Sequence, residues 1–149
     1  MVDENVENVD FPQSWDDLKA YDDGLLADVP DMVQAEDFSP AQTAMFTVTS
    51  TRLDARLDAL RKLGFFNGRR PKGKPDDEVN DGVAVQLAEF VGYADTWFES
   101  IAVDVDAYHA WVKGRDVVSL FVIFTTLERF YGEQLGKSSG SKKRSKTAE

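Results

Sequence analysis

The chain has 149 residues, a formal net charge of −10 and no cysteine. This length allows one folded core, and the lack of cysteine excludes a disulfide frame, a thiolate nucleophile and a cysteine-based metal site. The charge is segregated, because residues 1–38 sum to −11, 39–75 to +6, 76–136 to −9 and 137–149 to +4. The acidic blocks disfavour binding to nucleic acid or to anionic membranes, except through the two basic segments.

The N-terminal sequence and the apolar runs indicate where in the cell the protein is located. MVDENVENVD is acidic and has neither the basic nor the apolar region of a secretory signal. The longest apolar run of the chain, Val117–Phe124, is interrupted by Ser119 and is far too short to cross a bilayer. We therefore expect a cytoplasmic protein that does not bind membranes.

The first predicted elements are a disordered lead and a short helix. Residues 1–13 carry many acids and no periodicity, which predicts a disordered acidic segment. Ser14, with Asp17 three positions later, is typical of a helix start. Gly24 and Pro30 bound this short helical segment.

The second helix has the clearest start in the chain. Ser39 supplies a capping hydroxyl, Pro40 occupies the first helical position and Gln42 completes a capping box. The pattern predicts a helix to Leu63, with Gly64 as the residue that ends it. Its predicted apolar stripe contains Met45, Val48, Leu53, Leu57, Leu60 and Leu63.

Two segments of this region depart from helical character. Residues 47–51 are mostly β-branched, so a strand or a kink is an alternative to helix there. Residues 67–75, NGRRPKGKP, are rich in glycine, proline and basic residues, and this composition predicts a basic loop.

A long helix is predicted after the loop. The acidic triplet at residues 76–78 supplies the negative charge that stabilises a helix N-terminus. Apolar residues then recur every three or four positions, at Val83, Leu87, Phe90, Val91, Ala94, Trp97, Phe98 and Ile101.

Two further helices are predicted in the last third. Asp104 or Asp106 caps a short helix over residues 107–113, and Asp116 caps the last helix, which Gly136 ends. The apolar positions of that last helix are Val117, Leu120, Phe121, Phe124, Leu127, Phe130, Tyr131 and Leu135.

The predicted fold is therefore all-α. We expect a small irregular bundle of four to five helices over residues 14–136, with the basic loop at 67–75 between two of them. The acidic N-terminus is expected to be disordered, and residues 137–149 form a flexible basic tail.

One near-match to a phosphate-binding motif occurs in the basic loop. Gly68–Lys74 fits the G-x-x-x-x-G-K part of a P-loop, but Pro75 stands where the motif needs Ser or Thr to bind magnesium. Pro71 also stiffens a segment that would have to wrap around phosphate, and the segment follows a helix rather than a buried strand. We therefore interpret it as a basic surface loop.

Other signatures of catalysis or metal binding are incomplete. Asp77–Gly82 faintly resembles the start of a calcium loop, but Val79 and Ala88 occupy positions that need oxygen ligands. His109 is the single histidine, so no zinc set forms around it, and we expect it on a helix surface or half-buried. We predict that the chain is not an enzyme and has no catalytic residue, no cofactor and no metal.

The basic segments leave a nucleic-acid function open as an alternative. Arg69, Arg70, Lys72 and Lys74 are the candidates for phosphate contacts, but no aromatic residue is interleaved with them and acidic blocks flank them. The plainer interpretation is that these bases pair with the chain's own acids. A third interpretation is an acidic mimic of DNA that occupies a DNA-binding protein.

Aromatic residues are concentrated in the C-terminal half, with ten of them between residues 90 and 131. Trp97 and Phe98 are adjacent, as are Phe130 and Tyr131, so the members of each pair point to different sides of a helix. A small bundle cannot easily bury all of these rings. Rings left exposed would form a groove suited to an amphipathic helix from a partner.

The same half resembles a known family. The segments WFESIAVDVDAYHAWVKG, DVVSLFVIFTTLERFYGEQLG and KSSGSKKRSKTAE, within residues 80–149, are similar in layout to the tail assembly chaperones of long-tailed phages, particularly those of actinobacterial hosts. The resemblance does not extend to the acidic N-terminus or to the basic loop.

The resemblance implies a helical, non-catalytic assembly factor of the host cytoplasm that coats the tape-measure protein while the tail tube polymerises around it. In this family a longer form is often made by a translational frameshift, and the codons of Gly136–Lys137 or Lys142–Lys143 are the places to look for one. The implied partners are the tape-measure protein and such a longer form. Another structural or connector protein of the virion is the alternative.

A chaperone of this kind needs aromatic anchors for affinity and a high net charge to keep the complex in solution. We predict Trp97, Phe98, Trp111 and Phe121 as the anchors. The same four residues are also the best candidates for the core.

Overall fold

The computed structural model describes the backbone of residues 11–148 and the side chains of residues 11–137. It contains five α-helices, which are α1 (Trp15–Ala20), α2 (Pro40–Lys62), α3 (Asp76–Ser100), α4 (Val105–Val112) and α5 (Val117–Ala148). Two 3-10 turns lie between α1 and α2, and no β-strand occurs in this described part. The predicted all-α fold is confirmed. None of the helices described is long and apolar enough to span a membrane.

The bounds of α2 follow from local chemistry, as predicted. The Ser39 hydroxyl accepts a hydrogen bond from the Gln42 amide at 3.1 Å, and the Gln42 side chain accepts one from the Ser39 amide at 2.8 Å. Gly64 ends the helix with a φ of +82°, and a Cβ at this position would lie 2.1 Å from the Arg69 carbonyl oxygen. Only glycine fits here without moving the backbone. The β-branched stretch of residues 47–51 is helical, not a strand.

The buried face of α2 differs from the predicted stripe. Met45 and Val48 were expected in the core, but both are exposed. The buried positions are Phe46, Thr49, Leu53 and Leu60. The physical reason is that the large ring of Phe46 lies against the rings of Trp97 and Tyr131, which turns the neighbouring Met45 outward.

Helix α3 is the centre of the bundle, with α2 and α5 packed against it. Phe98 of α3 is fully buried and stacks on Phe124 of α5 with ring centroids 5.6 Å apart. The segment between α1 and α2 also joins this core, because the Tyr131 hydroxyl donates to the Val33 carbonyl at 2.8 Å. The Val33 amide in turn donates to the Ile101 carbonyl at 2.8 Å.

The caps of the last two helices are as predicted. Asp104, one of the two candidates, caps α4 by accepting a hydrogen bond from the Ala107 amide at 3.1 Å. Asp116 lies directly before α5, and a hydrogen bond from Ser119 lowers the pKa of its carboxyl group. Val117 was predicted as an apolar core position of α5, but it is exposed.

Both ends of the predicted helical domain need correction. Most of the predicted disordered lead lies outside the described residues, but Phe11 is described and buried, with its ring 5.3 Å from that of Tyr21. At the other end α5 passes through Gly136, which has no positive φ, and continues to Ala148. A glycine within a helix costs about 1 kcal/mol relative to alanine, so it weakens a helix without having to end it.

Candidate protein-binding groove

An open groove runs between α2 and α3. The two helices are antiparallel, because Phe46 contacts Trp97 while Arg56, three turns further along α2, pairs with Glu89. The groove has a volume of about 470 Å³. It is lined by Met45, Thr49, Arg52, Tyr93, Thr96, Trp97 and Ser100, and we call it the α2–α3 groove.

The accessible surface of the groove is mostly apolar, although the hydroxyl residues Thr49, Thr96 and Ser100 also line it. Met45 is 48% exposed at one end, and Tyr93 is 36% exposed at the other. Between them Trp97 is only 6% exposed, held by the rings of Phe38 and Phe46 at centroid distances of 5.8 and 5.9 Å. The floor is therefore rigid while the two rims are accessible, which is the arrangement of a site that receives an apolar side chain.

One cation lies in the groove. Arg52 is the only charged residue among those that line it, and its guanidinium carbon lies 5.2 Å from the centroid of the Tyr93 ring. Within residues 11–137 Arg52 forms no ion pair. One turn further, Arg56 and Glu89 bridge the two helices at 2.9 Å. The Arg56–Glu89 ion pair lies beyond this end of the groove, so Arg52 is the charged residue at which the groove ends.

The indole of Trp97 carries an unmet hydrogen bond. Its Nε1 is buried and has no acceptor within the described residues. A buried donor without a partner costs about 1–3 kcal/mol.

The predicted aromatic anchors are core residues in this structure. Trp97, Phe98, Trp111 and Phe121 are all at least nine-tenths buried. Trp97 lines the α2–α3 groove, whereas Phe98 stacks on Phe124 inside the bundle. The fold does not bring the four together on one surface.

Trp111 and Phe121 are held by neighbours of their own. The Trp111 indole donates to Asp28 at 3.1 Å, and Arg115 lies over its ring and pairs with the same carboxylate. The ring of Phe121 lies 4.8 Å from that of Phe90. Both side chains thus have packing roles in the free chain.

Sequence reasoning missed Met45 and Tyr93 as surface residues. Met45 was counted in the core stripe, and Tyr93 was one of ten aromatic residues without a distinguishing signal. If the helical periodicity of buried positions is counted from Phe46 through Thr49 and Leu53, Met45 falls outside the core. The preference for the larger aromatic ring in the core was the available signal.

The candidate phosphate contacts lie on the surface loop that was predicted. Arg69, Arg70, Lys72 and Lys74 are all exposed, and Arg70 donates to the Asn80 side chain at 3.1 Å. None of the four forms an ion pair with an acid in residues 11–137. Pairing with the chain's own acids, the plainer interpretation, is therefore not seen in this part of the chain.

The single histidine lies on the surface, where His109 of α4 pairs with Glu99 of α3. No group of three or more His, Cys, Asp or Glu residues within residues 11–148 could hold a metal ion.

A buried carboxyl group lies on the other side of α2. Glu128 of α5 is 8% exposed, and the Ser50 hydroxyl donates to its Oε2 at 2.7 Å. Burial raises the pKa of Glu128 to about 7; the hydrogen bond from Ser50 lowers it, and the nearby Asp54 carboxyl raises it. This group belongs to the joint between α2 and α5 and faces away from the groove.

Comparison with known proteins gives no relative: no protein-family model, no curated protein and no solved structure matches the chain. The function must therefore be argued from the chain's own residues.

Proposed function

We propose that this chain is a non-enzymatic assembly chaperone that binds a long helical partner, the tape-measure protein, during phage tail assembly in the host cytoplasm. The observation that carries the proposal is the α2–α3 groove, with an aromatic floor at Trp97 and accessible rims at Met45 and Tyr93. The layout of residues 80–149 supports the phage family, since it resembles that of tail assembly chaperones.

The dimensions of the groove suit a helix. Met45 and Arg52 are seven residues apart on α2, which is about 10 Å along the helix axis. This length matches two turns of a partner helix that offers one apolar side chain per turn. The formal net charge of −10 would keep a complex with an aggregation-prone helix in solution by repulsion between copies.

The test is co-expression with the long helical protein that this proposal expects to be encoded downstream of the chain's gene, which we call the downstream long protein. We expect the long protein to stay in solution only when the chain is present, and Met45→Glu to reduce its soluble fraction severalfold. Val85→Glu is the matched control, because Val85 is 50% exposed on α3 and does not line the groove. A long protein that is soluble without the chain, or equal loss with both variants, would refute the proposal.

The gene offers a second, independent test. The chaperone proposal predicts a slippery sequence near codons 136–143, followed by an overlapping frame that encodes a longer form. It also predicts a very long helical reading frame directly downstream. A gene with neither feature argues against a tail assembly chaperone, whatever the groove binds.

Nucleic-acid association is the second candidate function. It is favoured by the exposed loop cations Arg69, Arg70, Lys72 and Lys74, which have no ion-pair partner in residues 11–137. If this function is right, duplex or single-stranded DNA will shift in a gel at low salt, and the shift will weaken steeply as salt rises. Absence of any shift leaves only the DNA-mimic form of this candidate, which co-purification with a DNA-binding protein would reveal.

A further inference from the structure

Charge is distributed unevenly along the α2–α3 groove, and this distribution affects which partner helices the groove can bind. Its Met45 end has no charged lining residue, whereas its other end carries Arg52. The adjacent cation, Arg56, is already paired with Glu89 at 2.9 Å. Arg52 is therefore the positive charge that remains for a bound molecule at this end.

The side chain of Arg52 lies against an aromatic ring. Its guanidinium lies over the Tyr93 ring, 5.2 Å from the centroid, and a guanidinium is attracted to the face of an aromatic ring. A positioned guanidinium loses less side-chain freedom when it binds a carboxylate than a free one does. The Arg52 guanidinium over the Tyr93 ring therefore gives the α2–α3 groove one charged end, while the rest of its lining is uncharged.

We propose that the α2–α3 groove selects a helix that carries an apolar side chain and, two turns away, a carboxylate. The apolar side chain would contact Met45 and the floor at Trp97, and the carboxylate would pair with Arg52. The seven-residue separation of Met45 and Arg52 on α2 sets the two-turn spacing. This inference rests on the proposed function. It adds the requirement that the partner helix carry a carboxylate two turns from its apolar side chain, and we call this requirement the charge rule.

Synthetic helices test the rule directly. Three alanine-based helical peptides would share one pair of leucines and differ at a single residue two turns away, which is Glu, Gln or Lys. Each would be made in both chain orders, since a partner can run parallel or antiparallel to α2. Binding of the labelled peptides to the full chain is measured by fluorescence anisotropy.

We expect the Glu peptide of one chain order to bind about three- to ten-fold more tightly than the Lys peptide, with Gln in between. High salt should reduce this preference because the pair is partly exposed. Arg52→Glu should reverse the order of the three peptides. Lys113→Glu, the same charge change at an exposed residue outside the groove, should leave the order unchanged.

Failure of this inference can be told apart from failure of the proposed function. If the three peptides bind equally, bind not at all, or keep their order in Arg52→Glu, the charge rule is wrong. The chaperone proposal still stands in that case if Met45→Glu lowers the solubility of the downstream protein and Val85→Glu does not. If neither variant lowers it, both proposals fail together.

Discussion

The two flanks of α2 differ in how far the rest of the fold covers them. On one flank, Phe46 is 5% exposed between Trp97 of α3 and Tyr131 of α5, and Ser50 donates to the buried carboxylate of Glu128. On the flank along the α2–α3 groove, Met45 is almost half exposed and Arg52 has no ion-pair partner among the described residues. One flank is closed by the fold, and the other is open.

The difference between the flanks comes from a single step along the helix. Neighbouring residues are separated by about 100° around a helix axis, so Met45 and Phe46 cannot share a face. The larger aromatic ring is in the core, and the flexible methionine is left at the rim of the groove. In a small bundle the phase of one helix thus decides which apolar residues stabilise the fold and which remain for a partner.

The largest expected effect comes from truncating the two neighbours in turn. Phe46→Ala should lower the free energy of unfolding by about 3 kcal/mol or more, because it leaves a cavity between Trp97 and Tyr131. Met45→Ala should lower it by less than about 1 kcal/mol, because the side chain is largely solvated already. Urea unfolding of both variants measures the difference. Equal losses would mean that the two flanks are not distinct.

A smaller effect is expected from the buried acid of the closed flank. Below the ordinary pKa of 4.5 Glu128 is protonated in both the folded and the unfolded chain, and its burial then carries no ionisation cost. As the pH rises from 4.5 through about 7, the unfolded chain ionises first, so the wild-type chain loses stability in this window. Above it the loss is constant.

Glu128→Gln isolates this contribution, because glutamine keeps the shape and does not ionise. The variant should gain stability relative to wild type as the pH rises from 4.5 to 7, by about 1 to 3 kcal/mol in all. Urea unfolding at pH 4.5, 6 and 8 measures the gain. A stability difference between the two chains that does not change with pH would contradict the burial of an ionisable Glu128.

The smallest effect is expected at the hydroxyl that meets this acid. Ser50→Ala should lower the free energy of unfolding at neutral pH by about 1 kcal/mol, because the Glu128 carboxylate loses its donor. It should also raise the pKa of Glu128 further, since the Ser50 hydrogen bond lowers it in the wild type. Thr51→Ala is the control, because the Thr51 hydroxyl donates to the Thr47 carbonyl of the same helix and meets no acid among the described residues. Equal effects at the two positions would contradict the claim that the Ser50 hydroxyl stabilises the Glu128 carboxylate.

The local parts of the fold could be predicted from sequence. Ser39, Pro40 and Gln42 encode the start of α2 in three adjacent positions, and Gly64 encodes its end, because capping depends on neighbours in the chain. The all-α class followed in the same way from periodicity. The end of α5 was missed because Gly136 has the residue type of a stop without the left-handed conformation that makes one.

The size of Phe46 was a sequence signal that Met45 lies outside the core, but the groove itself could not be predicted, because it is formed only where α2 meets α3. Met45 is exposed because Phe46 lies against Trp97 and Tyr131, which are distant in sequence. The four predicted anchors were chosen for aromatic size, and size is also what places a residue in the core. Glu128 carries no sequence signal of burial, since its environment is made by Ser50 and Asp54 of another helix.

Site-specific photo-cross-linking tests the central claim, that the open flank of α2 holds a helical partner, most directly. A photoreactive phenylalanine analogue would replace Met45 in one chain and Val85 in another, and each would be co-expressed with the downstream long protein. Both positions are exposed, but only Met45 lines the groove. We predict a cross-linked product from position 45 and little or none from position 85. Product from position 85 alone, or in equal yield from both, would contradict the account.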